Sequence, residues 1–233
     1  RRLPGRNASA MKSLLKSIGL LVLLSSGALC EPAELHADLR IPNMYLVKES
    51  MRQYHKSGQY TREIDTIAGQ AQAYLEKNLA RVRDRKPAIV LDIDETVLSN
   101  YPHINEFDFG YIPREWSAWI LRGEAPALSG PRELFRYARK NDVAVFFITG
   151  RAEKEREATL KNLTKEGFEG WQELVMKPDG DHSPTGVYKA EHRKRLTEGG
   201  YSILVNLGDQ ASDLEGGYAE AVFKLPNPMY YVP

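Results

Sequence analysis

Two carboxylates two residues apart, Asp92 and Asp94, follow an apolar run that is typical of a buried strand. Ligands of open α/β sheets bind just beyond the carboxyl ends of the strands, so carboxylates at this position can take part in chemistry. Calcium-binding loops also open with Asp-x-Asp, but they need Gly at the sixth position and Glu at the twelfth. Val97 and His103 stand there, which excludes such a loop. A solvated turn stays open for this motif alone.

A second motif, Thr149-Gly150-Arg151, ends another β-rich run. A threonine hydroxyl and the free backbone amides at the start of a following helix form a natural cradle for phosphate. The alternative is a helix N-cap followed by a surface arginine. Taken alone, the motif favours neither interpretation.

A third motif places Asp209 and Asp213 four residues apart after a further apolar run. If they converge on Asp92 and Asp94, they form an oxygen-rich site suited to a hard divalent cation such as Mg²⁺. So many carboxylates repel one another unless a metal and a cationic side chain compensate them. Lys189, near the start of a predicted helix, is the candidate cation, although a lysine there is by itself more often solvated.

The elements that must position these residues alternate along the chain. Short β-rich runs are predicted at 88–91, 143–148, 174–176, 203–207 and 221–225. Helical segments are predicted at about 130–140, 152–166, 189–198 and 211–219, and an amphipathic helix over 60–84 precedes the first strand. Continuous apolar strands that alternate with helices indicate a parallel sheet covered on both faces, a doubly wound, Rossmann-like α/β fold with an N-terminal helical segment.

The stretch 101–130 breaks this alternation, because it is long, rich in aromatic residues and follows the first strand directly. It predicts a small helical and aromatic cap over the carboxyl edge of the sheet. Tyr101, Trp116 and Trp119 are candidates for stacking on a substrate, although packing within the cap is the commoner role of such residues. Arg151 is a further candidate for substrate contact.

Residues 1–30 are predicted to be a leader. From Met11 a basic start, a short apolar run and then small residues follow one another, which is the pattern of a secretory signal peptide. The apolar run is shorter than the roughly 20 residues of a membrane-spanning helix. Residues 1–10 are expected to be an upstream extension. We expect export to the periplasm or the medium, with no stable membrane insertion.

Cleavage after Ala28 or after Cys30 fits the small residues of this region. A lipid anchor at Cys30 is a less favoured alternative, because Leu29 stands where a small residue is expected. Cys30 is the single cysteine of the chain, so an intrachain disulfide and cysteine-ligated metal are excluded.

The formal net charge of +1 hides an uneven distribution. The leader holds five basic residues and no acidic one, so its removal leaves 27 basic against 31 acidic residues, a net charge of −4. Affinity for nucleic acid and anionic lipid comes mainly from cationic side chains that neutralise phosphates. A nucleic acid polymer is therefore not an expected partner.

The order of the motifs, Asp-x-Asp-x-Thr at 92–96, Thr-Gly-Arg at 149–151, Lys189 and Gly-Asp-x-x-x-Asp at 208–213, resembles the haloacid dehalogenase (HAD) superfamily. Gly200-Tyr201 and the tail Lys-Leu-Pro-Asn-Pro-Met-Tyr at 224–230 are similar to its subfamily IIIB, the secreted class B-type and plant acid phosphatases and vegetative storage proteins. The resemblance covers about residues 43–233 and implies a single HAD-like phosphatase domain over 31–233.

The resemblance implies a role for each residue of the motifs. Asp92 would be the nucleophile that forms an aspartyl-phosphate, and Asp94 would protonate the leaving oxygen and then activate water. Thr149, the amide of Gly150 and Lys189 would bind the phosphoryl oxygens. Because Asp94 would start protonated, an acidic pH optimum is expected.

The resemblance also implies Mg²⁺ as cofactor. Its ligands would be Asp92, the main-chain carbonyl of Asp94, and Asp209. Asp213 would be a second ligand or would orient Lys189, and the sequence leaves both open.

We therefore expect a secreted, Mg²⁺-dependent acid phosphatase for small phosphomonoesters, with 5′-nucleotides as candidate substrates. One alternative is a phosphotransferase that passes the same phosphoryl group to an alcohol. Another is a weakly active storage or ligand-binding protein, which the intact Asp92 disfavours. The sequence does not fix the physiological substrate, the preferred metal, or whether the protein forms a homo-oligomer.

Overall fold

The structure, a computed structural model, describes residues 41–82 and 84–232. Ile41–Pro233 form one compact unit. The predicted leader, its cleavage site and the alternative lipid anchor at Cys30 lie outside the described residues.

Two helices precede the sheet, α1 (Met44–Lys56) and α2 (Gln59–Leu79), and a 3₁₀ turn follows at Ala80–Val82. The strands are β1 (Lys86–Leu91), β2 (Ala144–Ala152), β3 (Glu173–Lys177), β4 (Tyr201–Gly208) and β5 (Ala221–Lys224). The remaining α-helices are α3 (Tyr101–Glu106), α4 (Pro113–Arg122), α5 (Ser129–Lys140), α6 (Arg156–Lys165), α7 (Thr185–Glu198) and α8 (Ala211–Leu214).

The five strands form one parallel sheet in the order β3-β2-β1-β4-β5. The chain steps outward from β1 to β2 and β3, and then crosses to β4 and β5 on the other side of β1. Strand order therefore reverses beside β1, and ligands of such sheets bind in the crevice at this reversal. The predicted doubly wound α/β fold is confirmed.

Side chains of β1 alternate between two buried clusters, one on each face of the sheet. Ile89 and Leu91 pack in the cluster that includes residues of α2 and α5. Ala88 and Val90 pack in the cluster that includes Tyr188 of α7. Full burial of a Leu or Ile side chain contributes about 1.5–3 kcal/mol, so a central strand buried on both faces is a rigid support for the residues that follow it.

Several element boundaries differ from the predictions. The helix predicted over 211–219 ends at Leu214, because Glu215 is extended and Gly216 and Gly217 have φ of +84° and +78°, outside the helical region. The helix predicted over 60–84 gives way to the 3₁₀ turn after Leu79.

The third difference concerns β2, which continues through Thr149, Gly150 and Arg151 to Ala152, beyond its predicted end at 148. The second motif is thus the last part of a strand, and a 3₁₀ turn at Glu153–Glu155 separates it from α6. Between β1 and α5, the stretch predicted to be a cap contains α3 and α4. None of the helices among the described residues is long and apolar enough to cross a membrane.

Candidate active site

The ends of β1 and β4 bring Asp92 and Asp209 to the same edge of the sheet. The backbone N–H of Asp92 donates to the carbonyl oxygen of Leu207 at 3.0 Å, which continues the pairing of the two strands by one residue. Asp209 follows the last residue of β4 directly. Both carboxylates are buried, at 6% and 2% relative exposure. Parallel pairing therefore brings together two acids that are 117 positions apart in the sequence.

Lys189 joins Asp92 to Asp213. Its Nζ atom lies 2.5 Å from Oδ1 of Asp92 and 2.6 Å from Oδ1 of Asp213, and all three side chains are buried. Burial by itself lowers the pKa of Lys189, but the two carboxylates outweigh it and the net shift is upward. Lys189 is therefore held as a cation. It lies one turn inside α7, which begins at Thr185 and not at the predicted position.

Three buried acids have the spacing of metal ligands: Asp92, Asp209 and Asp213. One carboxylate oxygen of each lies within 4.8 Å of the other two, and no other group of this kind occurs among the described residues. Burial raises the pKa of Asp92, and the lowering by Lys189 is too small to cancel it. Burial and the charge of Asp213 raise the pKa of Asp209 to about 7. When all three acids are ionised, their negative charge exceeds the single positive charge of Lys189. Hard oxygen donors with this excess of charge fit a divalent cation such as Mg²⁺.

The contacts of Asp213 bear on its two predicted roles. Its Oδ1 accepts from Lys189, and its Oδ2 accepts from the backbone N–H of Gln210 at 2.8 Å. A Cβ atom on Gly208 would lie 2.4 Å from Cβ of Asp213, so this position has no room for a side chain. The contact with Lys189 fits the orienting role, and the place of Asp213 in the three-acid group fits the role of a metal ligand, so both roles stay predictions.

Thr96 bridges the two strand-end acids. Its Oγ1 lies 3.3 Å from Oδ2 of Asp92 and 3.3 Å from Oδ1 of Asp209. The other oxygen of Asp92 accepts from Lys189, and the other oxygen of Asp209 accepts from the side-chain amide of Gln210. The threonine of Asp-x-Asp-x-Thr therefore sets the relative orientation of the two carboxylates.

The side chain of Asp94 pairs with Arg151. Arg151 donates from Nε at 3.2 and 3.1 Å and from Nη2 at 2.7 Å, and its own side chain is 2% exposed. Burial raises the pKa of Asp94, but the pairing with Arg151 outweighs it and the net shift is downward. Arg151 also donates from Nη1 to Thr159 at 3.1 Å. These contacts make Arg151 the partner of Asp94. Arg151 also lines the cavity, and its predicted contact to substrate stays a prediction.

Glu95 and Asn100 were not singled out from the sequence. Glu95 is fully buried with φ of +49°, and it accepts from the backbone N–H of Asn100 at 2.5 Å and from Asn100 Nδ2 at 3.1 Å. Asn100 Nδ2 also donates to Oδ1 of Asp94 at 2.7 Å. Burial and the charge of Asp94 raise the pKa of Glu95 to about 7. The available signal was the position of Glu95 inside the Asp-x-Asp-x-Thr motif, directly after Asp94.

Thr149 and Gly150 lie at the same edge of the sheet. Thr149 is fully buried, and its Oγ1 accepts from the backbone N–H of Arg151 at 3.1 Å. Gly150 is exposed and lines the cavity. The phosphate-binding role of both residues stays a prediction.

A cavity of about 720 Å³ opens over these residues. Its polar floor holds Asp92, Asp94, Lys189, Asp209 and Asp213. Its walls include aromatic side chains from the cap and from the chain after β5, namely Phe109, Tyr111, Trp116, Tyr230 and Tyr231. Such a volume accommodates a small ligand with an apolar part.

Of the three aromatic residues predicted to contact substrate, Trp116 lines this cavity. Tyr101 stacks on the ring of His55 with centroids 3.4 Å apart, and Trp119 donates from Nε1 to Oδ1 of Asn100 at 2.8 Å. Neither of these two belongs to the cavity lining among the described residues. Both rings are used in packing contacts, and a substrate contact by Tyr101 or Trp119 stays a prediction.

Comparison with known proteins identifies several similar sequences and structures. A family model described as HAD superfamily, subfamily IIIB (Acid phosphatase), matches residues 11–233. Acid phosphatase 1 of Solanum lycopersicum is 36% identical over 187 residues, which cover 78% of this chain and 73% of that protein. Vegetative storage protein 1 of Arabidopsis thaliana is 34% identical over 181 residues, which cover 76% and 67%. The Class C acid phosphatase from Bacillus anthracis with tungstate bound has a TM-score of 0.68 and 27% identity, covering 81% of this chain and 85% of that one.

Proposed function

Because the chain belongs to subfamily IIIB of the HAD superfamily, the acid phosphatases, we propose that it hydrolyses small phosphomonoesters through an aspartyl-phosphate on Asp92. The observation that carries this proposal is the position of Asp92, directly after the central strand, on the floor of the cavity and 2.5 Å from a buried lysine. A carboxylate nucleophile divides one difficult hydrolysis into two displacements.

In the first displacement, a carboxylate oxygen of Asp92 attacks phosphorus and the bond from phosphorus to the leaving oxygen breaks. Asp94 gives its proton to that oxygen. Arg151 and Asn100 hold the Asp94 carboxyl on the cavity side of β1, so the proton donor has a fixed position. Lys189 would balance the negative charge beside Asp92, and the amide of Gly150, a residue that lines the cavity, would bind the phosphoryl oxygens.

In the second displacement, Asp94 takes a proton from water, the water oxygen attacks phosphorus, and the bond from phosphorus to Asp92 breaks. This returns the free carboxylate and releases inorganic phosphate. The first displacement starts from protonated Asp94, whereas the pairing with Arg151 lowers the pKa of Asp94. The protonated fraction of Asp94 therefore grows only as the pH falls, and we expect an acidic pH optimum. A rate that rises steadily through pH 8 would contradict this part of the proposal.

Asp92 and Asp209 would hold Mg²⁺ together with the main-chain carbonyl of Asp94. The donor set and the excess of buried negative charge support this assignment. When bound, Mg²⁺ would neutralise charge on the phosphoryl group and on the carboxylates around it.

The cavity also supports a substrate class. A polar floor under aromatic walls suits a phosphomonoester whose leaving group is flat and partly apolar, and 5′-nucleotides and aryl phosphates have this shape. We propose Trp116 as the residue that contacts the leaving group. The residues before the described part carry the predicted signal peptide, so export to the periplasm or the medium belongs to the proposal. The N-terminal sequence of protein recovered from the periplasm or the medium tests it.

The experiment that tests the function is a panel of phosphomonoesters assayed with purified protein, with Mg²⁺ and with EDTA. We expect hydrolysis of p-nitrophenyl phosphate and of nucleoside monophosphates that EDTA abolishes. No hydrolysis of any substrate under either condition would contradict the proposal and favour a storage role, as in the name of one relative. An added alcohol that lowers phosphate release without lowering p-nitrophenol release would identify a phosphotransferase.

A further inference from the structure

The chain after β5 returns across the edge of the sheet and contacts the site at several points. Residues 225–232, the 225–232 segment, begin at the fully buried Leu225, whose backbone N–H donates to the carbonyl oxygen of Gly208 at 2.9 Å. Four residues of the segment then line the active-site cavity, Met229, Tyr230, Tyr231 and Val232. The segment therefore forms part of the wall around the reacting groups.

Asn227 contacts one of the two strand-end acids. Its Nδ2 lies 2.7 Å from Oδ2 of Asp209, the oxygen that also accepts from Gln210 Nε2 at 2.5 Å. The Oδ1 atom of Asn227 accepts from the backbone N–H of Met229 at 2.9 Å. Because the carbonyl end of the amide is used in this local turn, the NH₂ end is the one that faces Asp209. The other oxygen of Asp209 then faces Thr96 and Asp92.

Proline residues on both sides of Asn227 lower the conformational entropy that is lost when this contact forms. Pro226 and Pro228 flank Asn227, so the backbone before and after it is restricted even in the unfolded chain. Ordering Asn227 against Asp209 consequently costs less than ordering the same residue in a flexible loop.

Tyr230 contacts the other side of the site. Its hydroxyl donates to Oε2 of Glu95 at 2.5 Å, and Glu95 accepts from the backbone N–H and from Nδ2 of Asn100. Asn100 Nδ2 in turn donates to Oδ1 of Asp94 at 2.7 Å. The ring of Tyr230 also lies edge-on to Trp116, with centroids 6.2 Å apart. A chain of hydrogen bonds thus runs from the 225–232 segment to Asp94.

We propose that the 225–232 segment is a positioning element of the active site, which holds Asp209 through Asn227 and holds Asp94 through Tyr230, Glu95 and Asn100. Neither Asn227 nor Tyr230 needs to touch the reacting atoms for this role. The inference rests on the proposed function, because it assigns Asp209 to the metal and Asp94 to proton transfer. Residues that orient metal ligands typically change affinity or activity by about 10–100-fold when removed.

The first test measures Mg²⁺ binding to Asn227→Ser by calorimetry, without substrate. A serine still accepts from the N–H of Met229 in the local turn, but it is too short to reach Asp209. We expect the dissociation constant for Mg²⁺ to rise about tenfold or more. Asn78→Ser is the control, because Asn78 Nδ2 donates to the carbonyl oxygen of Tyr74 in α2, outside the cavity. Binding by Asn227→Ser within twofold of the unsubstituted protein would overturn the role of Asn227.

The second test is Tyr230→Phe, which keeps the ring beside Trp116 and removes only the hydroxyl. We expect kcat to fall about tenfold with KM within about twofold, because the ring still forms the wall while Asp94 loses part of its support. Tyr54→Phe is the control, because Tyr54 donates to Glu63 in the same manner at a position outside the cavity. An unchanged kcat would overturn the role of Tyr230.

The outcomes separate this inference from the proposed function. Absence of phosphatase activity in the unsubstituted protein would contradict the function, whereas full activity with unchanged Mg²⁺ affinity and kcat in the variants would contradict the inference alone. If Asn227→Ser does not fold, Asn227→Ala is measured in its place with the same expected result. Circular dichroism and melting temperature in EDTA report whether each variant keeps the fold.

Discussion

The Nζ atom of Lys189 lies 2.5 Å from Oδ1 of Asp92, and the same amine lies 2.6 Å from Oδ1 of Asp213. One buried cation is therefore shared by the predicted nucleophile and by a second buried acid. This arrangement stabilises charged carboxylates where burial alone would favour their neutral forms. It also makes the site depend on Lys189 for folding as well as for chemistry.

Replacement of this lysine leads to the first prediction. Lys189→Met leaves Asp92 and Asp213 buried without their common counter-ion, and removal of one partner of a buried ion pair typically costs about 3–5 kcal/mol. We expect a loss of this size in the free energy of unfolding by urea in EDTA. Lys161→Met, at an exposed position of α6, is the control with little expected change. A loss below about 1 kcal/mol for Lys189→Met would contradict the shared-cation account.

A second prediction concerns Gly208, which has no space for a side chain. An added Cβ would lie 2.4 Å from Cβ of Asp213, so Gly208→Ala must displace Asp213 or the end of β4. We expect about 1–3 kcal/mol of destabilisation, the usual range for overpacking, and a fall in phosphatase activity. Gly69→Ala is a matched control, because nothing lies within 4 Å of its added Cβ within α2. There we expect about 0.5–1 kcal/mol of stabilisation. Equal effects of the two substitutions would refute the steric argument.

Much of the fold could be predicted from the sequence, because its signals are local. All five β-rich runs are strands, and the helices between them follow from apolar spacing and from the turn residues that bound them. The end of α8 was missed, because the left-handed Gly216 and Gly217 lie inside a pattern that looks helical. The acids at the strand ends could be predicted to converge because parallel strands end at one edge.

The partners of these acids could not be predicted. Arg151 was expected at the substrate, and its ion pair with Asp94 joins positions 57 residues apart. The contacts of Asn227 and Tyr230 span 18 and 135 positions, and no spacing rule encodes them. Tyr101 and Trp119 look as suitable for stacking as Trp116 does. Their contacts distinguish them in the structure. His55 of α1 stacks on Tyr101, Asn100 accepts from Trp119, and Trp116 lines the cavity.

Metal removal provides the third prediction. The fold raises the pKa of Asp209 from 3.8 to about 7 and that of Glu95 from 4.5 to about 7. Native protein therefore prefers the protonated forms, so stability from these groups is fully present below about pH 4 and is lost as the pH rises to about 7. In EDTA we expect the melting temperature to fall by about 5 °C or more between pH 5 and pH 7.5.

The same linkage predicts that protons and metal compete. Added Mg²⁺ should raise the melting temperature more at pH 7.5 than at pH 5, because fewer carboxylates are protonated at the higher pH. Because the pKa of Asp94 is lowered, Asp94 stays ionised from pH 5 to pH 7.5 and does not change the stability in this range. A melting temperature in EDTA that stays constant or rises from pH 5 to pH 7.5 would contradict the assignment of excess buried charge.

A fourth prediction tests the aromatic wall. Trp116→Ala removes a ring that lines the cavity, and stacking of aromatic groups contributes about 0.5–1.5 kcal/mol beyond buried area. We expect KM for p-nitrophenyl phosphate to rise about three- to tenfold, and KM for glycerol phosphate to change less than about twofold. Trp116→Phe should restore most of the affinity. Equal changes for both substrates would show that Trp116 supports the cavity without contacting the leaving group.

The most direct test of the central claim is the rate of p-nitrophenyl phosphate hydrolysis by Asp92→Asn in saturating Mg²⁺. Asparagine has nearly the same shape and can still accept from Lys189, but its amide cannot form the acyl phosphate. Asp84→Asn, at an exposed position, is the control. We predict a loss of at least about 1,000-fold in kcat for Asp92→Asn, with a cooperative melting transition retained. A kcat within tenfold of the unsubstituted enzyme would contradict the assignment of Asp92 as the nucleophile.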